Sequence, residues 1–173
     1  RKSGLFSRYY VSPVDRAIKN GNITMVEYLI SNGVSVKTAI DECFDLHQNE
    51  ILKVLIPRYE DKEELLSMAF LRSNTEIIRH LINLNADINY KDEKGNTLLH
   101  LSAEQANIDN VKMLVEEFNA NIESRNDLGE TPLMFAAMSK NIIVIEYLVM
   151  SDINIDAVNN KGESALFYSL ENR

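Results

Sequence analysis

Gly129-Glu130-Thr131-Pro132-Leu133 stands 129−95 = 34 residues after Gly95-Asn96-Thr97-Leu98-Leu99. It stands 162−129 = 33 residues before Gly162-Glu163-Ser164-Ala165-Leu166. A fixed period of this length marks a solenoid built from one repeated supersecondary unit. Each glycine follows polar turn residues, where a positive φ costs glycine least. Thr97, Thr131 and Ser164 are placed to cap a helix, and Pro132 sits at a first helical position, where its missing N–H is not needed. Ala103 and Ala136-Ala137 then leave room for two helices to approach. A second apolar stripe follows at i, i+3, i+4: Val111, Leu114 and Val115, then Ile145, Leu148 and Val149. One copy is thus a turn, a short helix, a second helix and a loop back.

The early part of the chain keeps the helix stripe and loses the turn. Val26-Leu29-Ile30 recurs as Leu52-Leu55-Ile56 and as Ile78-Leu81-Ile82, at offsets of 52−26 = 26 and 78−52 = 26. These repeats are about 33−26 = 7 residues short, and no glycine turn can be drawn between Val36 and Thr38 or between Pro57 and Leu65. The register predicts helix pairs at about 12–20 with 22–31, 38–46 with 49–57, 62–73 with 75–84, 97–106 with 108–117 and 131–140 with 142–151, then a last helix from about 164. A single domain over 1–173 is expected, with about five repeats, two of them shortened at about 38–84, and a truncated sixth. Because Leu166, Phe167 and Leu170 would lack a partner helix, the segment is expected to be part of a longer chain.

Asp92 to Ala103 and Asn126 to Ala137 resemble the ankyrin repeat, whose pattern runs D-x-x-G-x-T-P-L-H-x-A-A. Asn85-Ala86-Asp87-Ile88-Asn89 resembles its closing loop. Met134 departs from the pattern by replacing the histidine that His100 supplies. The resemblance implies an all-α ankyrin-repeat solenoid of helix-turn-helix pairs, here with hairpin fingers only in the C-terminal half. It also implies a non-catalytic module that recruits or blocks a partner protein, or the recognition arm of a larger enzyme or channel. His100 would bond backbone between repeats. Partner contacts would lie on the fingers and first helices: Lys91, Arg125 and Val158 before the turns, Glu93-Lys94, Asp127-Leu128 and Lys161 at the tips, Glu130 after a turn glycine, and Glu104 and Met138 on the helices. Arg125 is expected at the centre of this surface, with Leu128 and Met138 giving apolar contact.

Composition limits the alternatives. Residues 1–58 hold 8 Lys+Arg and 6 Asp+Glu, and residues 59–173 hold 10 and 20, for a total of +2 − 10 = −8. An acidic second half argues against nucleic acid, which needs clustered cations, and favours a basic or mixed-charge protein surface. The most apolar run, Ile142 to Met150, carries Glu146 and is too short to span a membrane. Cys43 is the only cysteine, so an internal disulfide is impossible; its apolar neighbours suit a buried helix position. A reducing, intracellular location, cytoplasmic or nuclear, is expected, including a host's cytoplasm if the source is a pathogen. No nucleophile set, phosphate loop or metal-ligand spacing stands out. No catalytic residue, cofactor, metal or small-molecule substrate is therefore expected.

Overall fold

The computed structural model describes residues 12–171; the ends of the expected 1–173 domain, residues 1–11 and 172–173, lie outside them. Eleven helices follow in order among the described residues: α1 (Pro13–Lys19), α2 (Ile23–Ser31), α3 (Val36–Asp45), α4 (Asn49–Leu55), α5 (Lys62–Leu71), α6 (Thr75–Asn83), α7 (Leu98–Glu104), α8 (Ile108–Lys112), α9 (Pro132–Met138), α10 (Ile142–Met150) and α11 (Ala165–Glu171). A 3₁₀ turn (Ile56–Arg58) prolongs α4 and a π turn (Met113–Glu117) prolongs α8. The fold class is all-α, as expected, and an isolated bridge joins Val158 to Ser164. The chain divides after Leu84 into two compact units, at the point where the fingers begin.

Local chemistry accounts for the helix starts. Ser12 and Asp15 form a reciprocal capping box, with both hydrogen bonds at 3.1 Å. Asn22, Asn74, Asn107 and Asn141 each accept the backbone N–H three residues on, which opens the second helices. Helix α3 begins two residues before the expected position because the Ser35 hydroxyl caps it from Thr38 N–H. The turns between paired helices bend through left-handed backbone at Gly21, His47, Ser73, Ala106 and Lys140.

In the first unit α1 packs on α3 and α4 on α6. The core is Ile18, Val26, Ile40, Phe44, Leu52, Leu55, Leu65, Leu66, Ile78 and Leu81, all fully buried or nearly so. Short links, 32–35 and 59–61, replace fingers. Side-chain ion pairs tie neighbouring repeats instead: Arg58–Glu27 at 2.9 Å, Lys37–Glu64 at 2.6 Å, Arg72–Asp45 at 3.3 Å, and Lys53–Glu76. Such exposed pairs contribute on the order of 0–1 kcal/mol each.

In the second unit α7 packs on α9, α9 on α11, and α8 on α10. Ala103, Ala136 and Ala137 are buried where these helices meet. Helix α10 buries only part of the expected stripe. Val144 and Leu148 are buried, whereas Val149 is 44% exposed. Its sequence, IIVIEYLVM, is apolar nearly all round, so spacing alone could not select the inner face.

His100 is fully buried and ties two repeats together. Its Nδ1 accepts the Thr97 backbone N–H at 3.1 Å, which leaves the proton on Nε2 to donate to the Glu130 carbonyl at 3.1 Å. In the next repeat the Met134 sulfur takes the Nδ1 role, accepting from Thr131 N–H at 3.4 Å.

Candidate functional site: the finger groove

Three fingers project from the second unit, each closed by one Asp or Asn side chain. Asp92 Oδ1 accepts from Lys94 and Asn96 N–H, both at 2.8 Å. Asn126 Oδ1 does the same for Leu128 and Glu130 at 3.0 and 2.9 Å, and Asn159 Oδ1 for Lys161 and Glu163 at 2.8 and 3.0 Å. Burial works against the Asp92 carboxylate, but the N–H groups of Asn96 and Lys94 outweigh it and hold its pKa below the usual value. Neighbouring fingers then pair edge to edge: Asp127 N–H donates to Lys94 O at 3.1 Å and Asn160 N–H to Leu128 O at 2.9 Å.

Between the first two fingers and helices α7 and α9 lies an open groove of about 790 Å³. Seven of the expected contact residues line it: Glu93, Lys94, Asp127 and Leu128 from the tips, Glu130 from the second finger, and Glu104 and Met138 from the helices. Leu128 is 57% exposed, a leucine held at a tip in solvent. Leu101 and Phe135, whose groove positions the repeat pattern did not single out, complete an apolar floor with Met138. The walls carry five carboxylates (Asp92, Glu93, Glu104, Asp127, Glu130) and one ammonium, Lys94.

The remaining expected residues lie elsewhere. Lys91 and Arg125 line a separate hollow with Asn89, Thr97, Asn121, Glu123 and Ser124. Both side chains brace the finger stack. Lys91 Nζ donates to Arg125 O at 2.7 Å, and Arg125 Nη1 donates to Gly129 O at 3.0 Å and to Val158 O at 2.7 Å. Arg125, expected at the centre of the contact surface, is exposed and also acts as a strut between fingers. Val158 is 45% exposed beside it, and Lys161 is exposed at the third tip.

Glu130, expected among the partner contacts, is only 8% exposed. One carboxylate oxygen accepts from Asn126 Nδ2 at 2.7 Å, and the other from the Tyr168 hydroxyl of α11 at 2.5 Å. Burial, and then the bond to Glu130, push the Tyr168 phenol up to about 12. Tyr168, reaching back from α11, had no signal in the repeat pattern. Among the described residues, no cluster of His, Cys, Asp or Glu is arranged to hold a metal ion, and no helix is long and apolar enough to cross a membrane.

Comparison with known proteins decides the family. The sequence profile described as "Ankyrin repeats (3 copies)" matches residues 42–126 and 118–173. The chain belongs to the ankyrin-repeat family. Ankyrin repeats are protein–protein interaction modules and typically non-enzymatic. "Ankyrin repeat domain-containing protein 63" of Mus musculus is 33% identical over 96 residues, covering 53% of this chain and 24% of that protein. "Transient receptor potential cation channel subfamily V member 1" of Cavia porcellus is 29% identical over 155 residues, 79% of this chain and 18% of that protein. "Tyrosine-protein kinase Shark" of Drosophila melanogaster is 30% identical over 94 residues, 54% of this chain and 10% of that protein. The chain thus spans a quarter or less of the length of these relatives.

Proposed function

We propose that this ankyrin-repeat segment recruits or blocks a protein partner that docks in the finger groove and presents a basic surface with apolar side chains. The groove's chemistry carries this reading: a floor of Leu101, Phe135 and Met138 under walls with five carboxylates and one lysine. The charge balance supports it. Residues 1–84 hold 11 Lys+Arg and 11 Asp+Glu, whereas residues 85–173 hold 7 and 15, or 7 − 15 = −8, so the chain's whole excess lies in the unit that bears the groove. An acidic cleft attracts basic partners and repels nucleic acid. Catalysis has no part in the reading.

The test has two steps. A photo-crosslinker at position 128 captures the partner, and its affinity is then measured against variants. Leu128→Ala with Met138→Ala should weaken binding at least about tenfold, or about 1.4 kcal/mol. Lys53→Ala, in α4 of the first unit, should leave it unchanged. If the control variant removes binding and the double variant does not, the partner uses another face.

A second reading rests on length. Because the matched relatives are much longer and include a cation channel and a tyrosine kinase, the segment would serve as the recognition arm of a larger protein whose chemistry lies outside residues 1–173. The sequence of the full gene decides between an isolated module and such an arm.

A further inference from the structure

The carboxylate of Glu130 combines three properties. The residue is 8% exposed, it lines the open groove, and its carboxylate is in none of the ion pairs described above. Its protein partners are two neutral donors, Asn126 Nδ2 and the Tyr168 hydroxyl, one on each oxygen. A carboxylate offers about four lone-pair sites. Each Glu130 oxygen therefore keeps one acceptor position. A buried carboxylate without a countercharge is costly, and a cation arriving with a ligand relieves that cost.

We propose that Glu130 is the specificity anchor of the groove and receives the guanidinium of an arginine from the docked partner. This rests on the groove reading above and narrows it to one side chain. A planar guanidinium delivers two parallel N–H donors to the two oxygens, which a single ammonium does not. The apolar floor of Phe135 and Met138 suits the arginine stem and its weakly hydrated head. Glu104, exposed on α7, adds negative charge at the groove wall.

The probe is a blocked pentapeptide with a central arginine between leucines, compared with the same peptide carrying lysine or citrulline. Citrulline keeps the shape and loses the charge. Titration is followed by backbone amide shifts of the whole chain. Groove amides should move with all three peptides, and arginine should bind at least fivefold more tightly than citrulline, with lysine between them. Glu130→Gln, which retains an acceptor for Asn126 and a polar group for Tyr168, should cut the arginine preference below twofold. If that variant does not fold, Tyr168→Phe takes its place: it releases one Glu130 oxygen, and the arginine preference should rise. Groove shifts with equal affinities for arginine and citrulline, or a preference indifferent to both variants, would overturn the anchor and leave the groove standing. Shifts confined to other surfaces, or no shifts at millimolar peptide, would overturn both.

Discussion

Protonating His100 means displacing a hydrogen bond that its ring already accepts. Nδ1 takes the Thr97 N–H, and the ring is fully buried. Burial lowers its pKa, and the Glu130 carbonyl on Nε2 offsets this only in part. The unfolded chain binds a proton at about pH 6.5, so the folded state takes it up at lower pH. Stability from this residue is complete above about pH 6.5. It falls as pH drops below that value, by up to about 1.4 kcal/mol per unit, until the folded pKa is reached. His100→Met installs the residue that the next repeat uses and should flatten that slope. Urea midpoints at pH 5.5 and 7.5 measure it; equal slopes in the two proteins would remove His100 as the cause. Glu130 makes the complementary point about residue-scale reading. Its place after a turn glycine was evident from the period, but its bond to Tyr168, 38 residues later, was not. Spacing within one repeat does not specify what a neighbouring repeat brings to it.

Fingers are the element in which sequence and geometry agree most closely. An Asp or Asn three residues before a glycine is a complete local instruction, because the side chain closes the turn and the glycine takes a φ of +76° to +81°. The glycines are not equivalent, however. A Cβ on Gly95 would stand 2.7 Å from the Asp127 backbone nitrogen, whereas one on Gly162 would meet nothing within 4 Å. Gly162→Ala should therefore cost only the left-handed strain, about 1–2 kcal/mol. Gly95→Ala should cost clearly more and loosen the pairing between the first two fingers. Equal melting losses for the two variants would show that the fingers shift apart without cost. The finger-less repeats were legible from the 26-residue offset for the same reason: a missing turn shortens the period. The face of α10 and the struts made by Lys91 and Arg125 were not legible. An all-round apolar helix has no periodic face, and the reach of a long flexible side chain is decided by which carbonyl lies nearby. The left-handed turns at Ala106 and Lys140 carry no glycine to mark them.

Across the whole molecule, net charge is sorted by unit. Residues 1–84 are neutral in sum; residues 85–173 carry the net charge of −8. Attraction toward the proposed basic partner would then act at a distance and be screened by salt, since the Debye length shrinks from about 30 Å at 0.01 M to about 3 Å at 1 M. The association rate should fall at least about tenfold between 0.02 and 0.5 M salt, while dissociation changes little. Stopped-flow measurement separates the two; an association rate indifferent to salt would mean that the acidic excess only keeps the chain soluble. Cys43 is fully buried in α3 of the first unit, and burial pushes its thiol up to about 12. A thiol reagent at neutral pH finds neither an accessible sulfur nor a thiolate until that helix opens. The lone cysteine is consequently a natural clock for the breathing of the first unit, insensitive to events confined to the second.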